Sequence, residues 1–336
     1  MLTILIFTYN RHYALDRYLV FLEKLSVKFN LIILDSSSNN KTKELLKEKK
    51  FNLKIKYKKF NSKIFYTNKI LKGLKYVKTK YVILNPDDDF YIPKVIKKCV
   101  NFLEKNKDYF SARGRSYNYD FYHNLENFGF KISKCGHEES VNNDEAFLRI
   151  RNYNISRGSN SPLYAVHRTK HLKKIYKITN KANSSWQLSE IIPCYISLFF
   201  GKMKMINNIY SIRHPNNDMP LSLKKLLKCY SKKNIQKAVN VLYDEFKKKK
   251  IDKNFLYNNF LEFKSYQAKK IKSFKILKFR NYKKYSLYRI MRFTLNKFYW
   301  LLLLIFCIKN FKELMLVKRL VLNINISILT TTSRIR

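Results

Sequence analysis

Short apolar runs and longer segments of helical periodicity alternate over the first quarter of the chain. Apolar runs at residues 2–7, 31–34 and 81–84 predict buried strands, and an alternating, lysine-rich run at 53–57 predicts another. Between the first two runs, leucines recur at helical spacing at Leu15, Leu19, Leu22 and Leu25. This repeated alternation of strand and helix predicts a parallel sheet with helical crossovers.

The pattern is less regular beyond Pro93. An amphipathic helix is predicted after this proline, and residues 109–112 predict a fifth strand that ends at Arg113 and Arg115. Residues 116–160 are polar, aromatic and weakly patterned, and we expect them to hold a substrate-facing insertion. Later positions predict a strand at 163–166, a helix at 168–176, an apolar helix capped by Ser184 or Ser185 and ending near Phe200, and short strands at 202–206 and 209–212.

The composition changes near residue 218, where we place a domain boundary. Residues 1–218 are predicted to form the α/β domain, and residues 219–336 a basic helical region rich in Lys, Tyr and Leu. The longest apolar run of the chain, residues 298–308, is well short of the roughly 20 residues that cross a bilayer. It is predicted to be either a buried core helix or a helix in a membrane interface beside anionic lipid.

The chain carries a formal net charge of +46, from 69 Lys and Arg against 23 Asp and Glu. Such an excess ordinarily indicates nucleic acid or an anionic membrane as a partner. Here it accompanies many Asn, Ile, Tyr and Phe residues, which share A/T-rich codons, so coding bias could produce much of it. We therefore do not expect nucleic acid as the partner, and the few acidic residues carry more information.

The five cysteines are scattered and form no C-x-x-C pair, which argues against a disulfide framework or a structural zinc site. A reducing compartment fits this pattern best. The apolar residues 2–7 are too few for a secretory signal and run directly into a polar turn. We expect a cytoplasmic protein, with peripheral contact between its C-terminal region and an anionic membrane as an alternative.

Three consecutive carboxylates, Asp87, Asp88 and Asp89, follow the strand predicted at residues 81–84. Ligands of open α/β sheets bind beyond the carboxyl ends of the strands, and adjacent acids repel one another unless a cation screens them. Mg²⁺ and Mn²⁺ favour one or two carboxylates together with substrate phosphate oxygens. The stretch suits a metal-bound nucleoside diphosphate; the alternative is an exposed acidic turn before a helix near Pro93.

Polar residues also follow the first two predicted strands. Asp35 lies where an acid can accept hydrogen bonds from a base N–H or a ribose hydroxyl, although a helix-capping role fits the surrounding Ser and Asn residues equally well. The turn from Thr8 to Arg11, which includes Asn10, could wrap a nucleotide with its backbone groups. Arg11 could then approach a phosphate.

Four further residues are candidates for the same edge of the sheet. Arg113 and Arg115 could donate to a diphosphate, or be solvated like other charged side chains of so basic a chain. Glu190 lies on an otherwise apolar helical run, where burial would suit it to act as a general base for a sugar hydroxyl; the alternative is an exposed Glu of an amphipathic helix. His214 is either a metal or diphosphate contact or a loop residue.

The order of these motifs resembles the GT-A glycosyltransferases of family 2. T-Y-N-R after the first strand, D-S-S after the second, and D-D-D-F with a Pro three residues on are similar to that family's nucleotide-sugar half. More narrowly, the chain resembles a subgroup of these proteins from bacterial surface-polysaccharide clusters. The shared segments are I-L-N-P-D-D-D-F-Y-I-P, A-R-G-R, L-Y-A-V-H-R-T and the order E-I-I, G-K-M-K, R-H. The resemblance covers about residues 1–215 and implies a Rossmann-like α/β fold with a mostly parallel sheet flanked by helices, here followed by an α-helical extension.

The resemblance also implies roles for the candidate residues. Asp87 and Asp89 fall at the DxD position that binds Mn²⁺ or Mg²⁺ and the donor diphosphate, with Asp88 nearby. The remaining correspondences are the base-binding acid at Asp35, the first nucleotide loop at Thr8, the catalytic base at Glu190, and a metal or diphosphate contact at His214.

The predicted activity is a metal-dependent, inverting transfer of a sugar from a nucleotide-diphosphate donor to an acceptor hydroxyl, in surface-polysaccharide or glycolipid synthesis. The chain departs from the family pattern in having Phe7 where Pro is usual, and in lacking an Asp beside Glu190. One alternative is a nucleotidyltransferase on a related fold, which would usually need a Gly-rich, basic loop near residue 10. Another is a non-catalytic basic protein that binds nucleic acid or membrane.

Overall fold

The computed structural model describes residues 2–123, 128–135, 139–155, 161–182, 185–213, 223–247 and 251–279. Its strands are β1 (Leu2–Thr8), β2 (Asn30–Asp35), β3 (Lys54–Lys59), β4 (Tyr81–Pro86), β5 (Asp89–Tyr91), β6 (Tyr109–His123), β7 (Phe128–Cys135), β8 (Val166–Arg168) and β9 (Lys202–Arg213). Its helices are α1 (His12–Lys24), α2 (Lys41–Glu48), α3 (Tyr66–Leu74), α4 (Pro93–Lys105), α5 (Ala146–Ile155), α6 (Thr169–Ala182), α7 (Leu188–Phe200), α8 (Leu223–Cys229), α9 (Lys232–Phe246) and α10 (Lys253–Phe279), with a 3-10 helix at Ser161–Tyr164.

The strands form one sheet in the order β3-β2-β1-β4-β8-β6-β9-β5, and β7 pairs with β6 beside this path. Strands β1 to β4 are mutually parallel, as the alternation of strand and helix predicts. Strands β6 and β9 are parallel to each other, whereas β8 and β5 run antiparallel to their neighbours. The α/β fold class with a mostly parallel sheet is confirmed.

The central strands are buried because helices pack on the sheet. Every residue of β4 is buried, and β1 has a single partly exposed position. Continuous apolar runs are typical of strands that are covered on both faces. On α1 the predicted periodicity is also confirmed, since Leu15, Leu19 and Leu22 are buried while the helix ends at Lys24.

The second half of the sheet differs from the prediction. The expected end of a strand at Arg113 and Arg115 is wrong, because β6 continues to His123. Its backbone pairs with β7 on one side and β9 on the other, so the polar and aromatic residues beyond Arg115 remain in the sheet. The two short strands expected at 202–206 and 209–212 are likewise one strand, β9.

Helices α8, α9 and α10 follow the predicted boundary near residue 218 and pack on the helices before it. Phe246 of α9 stacks on Phe199 of α7 with ring centroids 4.3 Å apart, and Phe260 of α10 contacts Tyr195 at 5.0 Å. The position of the boundary stays a prediction. Within the described part of the chain, no helix combines the length and the apolarity needed to cross a membrane. The apolar run at 298–308 lies outside the described residues.

Candidate active site

The carboxyl ends of β1, β2 and β4 bring three predicted residues to one edge of the sheet. Thr8 and Asp35 are paired across β1 and β2, while Phe7 is paired with Pro86, the residue before Asp87. Thr8, Asp35 and Asp87 are all buried. The first loop, the candidate base-binding acid and the acidic stretch therefore lie side by side, where ligands of parallel α/β sheets bind.

Asp35 is held as an anion by three donors. Its Oδ1 accepts from the Ser37 backbone N–H at 2.7 Å, and its Oδ2 accepts from the Tyr57 hydroxyl at 2.7 Å and from Lys59 Nζ at 3.0 Å. Burial raises the pKa of Asp35, but these hydrogen bonds outweigh burial and leave the pKa below its usual value. Asn40 is the N-cap residue of α2, so Asp35 does not cap that helix.

Asn10 ties the loop after β1 to the loop after β2. Its backbone N–H donates to Ser37 Oγ at 2.8 Å, and its side-chain oxygen accepts from the Ser38 N–H at 2.9 Å. Asn10 has a φ of 53°, in the left-handed region that Asn adopts more readily than most residues. The two loops form one rim of the site, and a contact of Asn10 with a nucleotide stays a prediction.

Lys69, on α3, belongs to this site although its role was not predicted from the sequence. The side chain is only 5% exposed, and Nζ donates to the Thr8 carbonyl at 3.1 Å and to Ser36 Oγ at 2.8 Å. Burial lowers the pKa of Lys69 to about 8, against the opposing charges of Asp87 and Asp35. Lys69 therefore links the ends of β1 and β2 beneath the two loops and adds a buried cation among the acids.

The three consecutive carboxylates divide between two arginines. Arg11 Nη1 donates to Asp88 Oδ2 at 2.8 Å, and Nη2 of the same guanidinium binds Asp87. Asp89 lies in β5 and forms an ion pair with Arg213 Nε at 2.9 Å, next to the pairing of β5 with β9. Arg11, predicted to approach a phosphate, is thus held at the entrance of the acidic stretch by two of its carboxylates.

Burial shifts two of these acids strongly. It raises the pKa of Asp87 to about 7 and that of Asp89 to about 6, while Arg11 and Arg213 respectively oppose the shift and Asp88 adds to it. The Asp87 Oδ2 atom is buried and has no hydrogen-bond partner among the described residues. Such an oxygen is a suitable ligand for a hard divalent cation, which would also favour the ionised carboxylate.

The donor set fits a cation that is shared with a substrate. Among the residues that the structure describes, no three His, Cys, Asp or Glu side chains are grouped so as to hold a metal ion. Mg²⁺ and Mn²⁺ commonly use only one or two carboxylates and complete their shell with phosphate oxygens and water, so Asp87 with a neighbouring Asp is compatible with either. His214 lies outside the described residues, and ligation by Asp87 and Asp89 stays a prediction.

Glu190 lies in the first turn of α7 and is half-buried, so it is not an exposed residue of an amphipathic helix. Burial is the main cause of the raised pKa of Tyr66 and of Tyr164, and the charge of Glu190 raises both further. Tyr66 contacts Phe7 of β1, and the Tyr164 ring lies 5.6 Å from the Arg213 guanidinium. The charge of Glu190 thus acts on two buried tyrosines of this region, and its role as base stays a prediction.

The two arginines of β6 occupy different environments. Arg113 is buried within the strand, where Nε donates to the Gly114 carbonyl at 3.0 Å and Nη2 binds Ser116 Oγ. Arg115 is half-buried at an irregularity in the pairing of β6 with β9. The alternative of a solvated side chain is therefore wrong for Arg113. Contact of either arginine with a diphosphate stays a prediction.

The chain matches the model of a known protein family. The model of the family described as "Glycosyl transferase family 2" matches residues 3–198 of the chain. No curated protein sequence matches the chain.

Several solved structures match part of the chain. TarS 1-349 of S. aureus is 14% identical with a TM-score of 0.46, and the match covers 73% of this chain and 72% of that one. The same protein in complex with UDP-GlcNAc is 13% identical with a TM-score of 0.44 and equal coverage of 73% and 72%. 4-diphosphocytidyl-2C-methyl-D-erythritol synthase of Anaerococcus prevotii is 12% identical with a TM-score of 0.38, covering 62% of this chain and 89% of that one.

Proposed function

Because the chain belongs to glycosyl transferase family 2, we propose that it moves a sugar from a nucleotide-diphosphate donor to an acceptor hydroxyl. The family match extends over more than half of the chain, which makes the protein a glycosyltransferase and supports a nucleotide-sugar donor. The observation that carries the assignment of the site is the row of buried acids at the ends of β2 and β4, with an unpartnered oxygen on Asp87.

The nucleotide would bind along the rim formed by the loops after β1 and β2. Oδ2 of Asp35 already accepts two hydrogen bonds, whereas Oδ1 accepts one of those described and retains a lone pair for a base N–H or a ribose hydroxyl. Thr8 and Arg11 would contribute from the first loop, and Arg113 and Arg115 stay proposed contacts to the diphosphate.

Asp87, with Asp89 as the proposed second ligand, would hold Mn²⁺ or Mg²⁺ beside the donor diphosphate. When bound, the cation would neutralise charge that develops on the leaving diphosphate. Because its pKa is about 7, Asp87 gives up its proton near neutral pH and is then available as a ligand. Asp88 remains with Arg11, and His214 is proposed as a further contact.

Glu190 would take the proton of the acceptor hydroxyl as that oxygen attacks the anomeric carbon. One displacement of this kind inverts the configuration at the anomeric centre. We propose a saccharide or a lipid-linked saccharide of surface-polysaccharide synthesis as the acceptor. Residues 219–336 are the proposed region of peripheral contact with an anionic membrane.

A panel of nucleotide sugars tests the proposal, with thermal stabilisation in Mn²⁺ as the first measurement and donor hydrolysis or transfer as the second. A donor stabilises the folded state in proportion to its occupancy, so one member of the panel should raise Tm. Asp87→Ala and Asp89→Ala should abolish turnover with folding intact, while Asp244→Ala, an exposed acid of α9, should not. Transfer at full rate in excess chelator would rule out the metal-dependent mechanism.

A further inference from the structure

A second recess lies at the edge of the sheet opposite the acids. Lys80 directly precedes β4 and Lys107 precedes β6, so both lie near the amino ends of strands whose carboxyl ends point to the other edge. Thr169 joins them because β8, which it follows, runs antiparallel to β4 and β6. The cavity between these segments has a volume of about 700 Å³.

Cations dominate the lining of this cavity. Among the residues that the structure describes, no Asp or Glu lines it, and its charged residues are Lys78, Lys80, Lys107, Arg168, Lys170 and Lys173. The nearby Glu104 pairs with Lys80 and lies 3.7 Å from Lys107, while Lys173 donates to a backbone carbonyl. Lys78 and Lys170 are exposed and form no ion pair with any acid that the structure describes.

The amino-terminal end of α6 opens toward the same space. The first backbone N–H groups of a helix lack carbonyl partners within the helix and carry its positive dipole end, which favours anions. Thr169 begins α6 and lines the cavity; it is 6% exposed, and its hydroxyl has no hydrogen-bond partner among the described residues. This buried donor is an observation independent of the lysines.

His171 reports the positive potential of the cavity. Its ring stacks on Phe110 with centroids 3.8 Å apart, and its buried Nδ1 has no partner among the described residues. The pKa of His171 is lowered to about 4. Burial is the main cause, and the charges of Lys170 and Arg168 contribute. The imidazole is therefore neutral at pH 7 and retains one N–H that can donate to a ligand.

We propose that this cavity is a binding site for a phosphate-bearing ligand, separate from the donor site. Lys78 and Lys170 would supply the charge that the described acids leave unneutralised. The Thr169 N–H already donates to the Lys80 carbonyl at 2.9 Å, so the Thr169 hydroxyl and the backbone N–H groups of Lys170 and His171 would donate to the phosphate oxygens. A phosphate group matches this donor set because it presents several acceptor oxygens with negative charge. A soluble phosphate compound and a phospholipid headgroup share this chemistry.

Pyrophosphate binding tests the proposal. We would titrate wild type, Lys78→Gln/Lys170→Gln, and the matched control Lys43→Gln/Lys47→Gln by calorimetry at fixed ionic strength, because general charge effects depend on salt. The control removes two exposed lysines of α2 and leaves the net charge equal to that of the cavity variant. The cavity variant should bind at least about tenfold more weakly than the control, with Tm unchanged in both.

The imidazole protons of His171 locate the bound ligand. Their proton NMR signals should shift as pyrophosphate is added to wild type or to the control, and remain fixed in the cavity variant. Equal binding by all three proteins, or His171 signals that do not respond, would overturn the proposal. In a parallel arm, vesicles of phosphatidylglycerol replace pyrophosphate and phosphatidylcholine serves as the blank. Binding to vesicles alone, lost only in the cavity variant, would identify a lipid headgroup as the source of the phosphate.

Discussion

The two edges of the central sheet use charged side chains in different ways. At the carboxyl edge, Asp35 and Asp87 are buried and each is held by specific donors. At the opposite edge, Lys78 and Lys170 are exposed side chains that line a recess without a described acidic partner. The chain has 23 acids and 69 Lys and Arg, so the position of an acid in the sequence already indicates a candidate site. A lysine indicates one only when its neighbours in the structure are known.

The largest effect is expected from Asp87→Asn, which should lower turnover by at least about 10³-fold, because it removes the proposed metal ligand and several kcal/mol of charge stabilisation. Glu104→Gln changes an acid at the opposite edge and should leave turnover within about twofold of wild type. The measurement is initial rate with saturating donor and Mn²⁺. An Asp87→Asn enzyme that retains a tenth of wild-type turnover would remove this edge from the mechanism.

Asp87 also predicts the sign of a pH effect on stability without metal. The folded pKa of about 7 exceeds the value of 3.8 expected in the unfolded chain, so only the folded state keeps this proton between these values. The contribution of Asp87 to stability must therefore fall as pH rises from about 4 to about 7, by up to about 4 kcal/mol at 1.36 kcal/mol per unit. Asp87→Asn should lack this component. Urea unfolding in chelator at pH 5 and 8 measures it, and an equal fall in both proteins would contradict it.

A further prediction concerns Glu190, which should affect the reaction and leave donor binding unchanged. Glu190→Gln keeps the shape of the side chain but cannot accept the acceptor's proton, so kcat should fall by about 10²- to 10⁴-fold. The Tm increase produced by the donor should equal that of wild type. Weaker donor binding with an unchanged kcat would assign Glu190 to the donor site instead.

The sequence was sufficient to predict the half of the sheet whose strands are continuous apolar runs. The run at 81–84 and the acids after it locate β4 and its carboxyl end, because a buried parallel strand needs nothing more than apolar residues on both faces. The strand predicted from the sequence ends at Arg115, too early for β6. Alternating Tyr and polar residues form a strand only with partners distant in sequence, here β7 and β9.

Lys69 was missed for a related physical reason. In a chain with so many lysines, a single buried one has no distinguishing neighbours in sequence, and lysines are rarely buried. One local signal was available: Ile70, Gly73 and Leu74 define the buried face of α3, and Lys69 lies one turn before Gly73 on that face. The division of the acids between Arg11 and Arg213 had no such signal, since it depends on the pairing of β5 with β9.

Substitution of Lys69 provides a further prediction. Lys69→Met should weaken donor binding by about tenfold, because the Thr8 carbonyl and Ser36 hydroxyl lose the common donor that links the two loops. Lys72→Met removes an exposed lysine of the same helix and should leave the donor Kd unchanged. Calorimetric titration with the donor identified from the panel provides the comparison, and equal Kd values for the two variants would refute a positioning role.

The smallest effect is expected at the basic edge, where His171 should oppose the pH trend of Asp87. Its folded pKa of about 4 lies below the unfolded value of 6.5, so as pH falls the unfolded state takes up the proton first. Stability from this group is therefore lost as pH falls from about 6.5 to about 4. Because the ring is only half-buried, we expect a contribution of about 1 kcal/mol. His171→Gln should remove it, which urea unfolding at pH 4.5 and 7 can measure. A variant that loses as much stability as wild type over this interval would show that the recess is too well solvated to act on the imidazole.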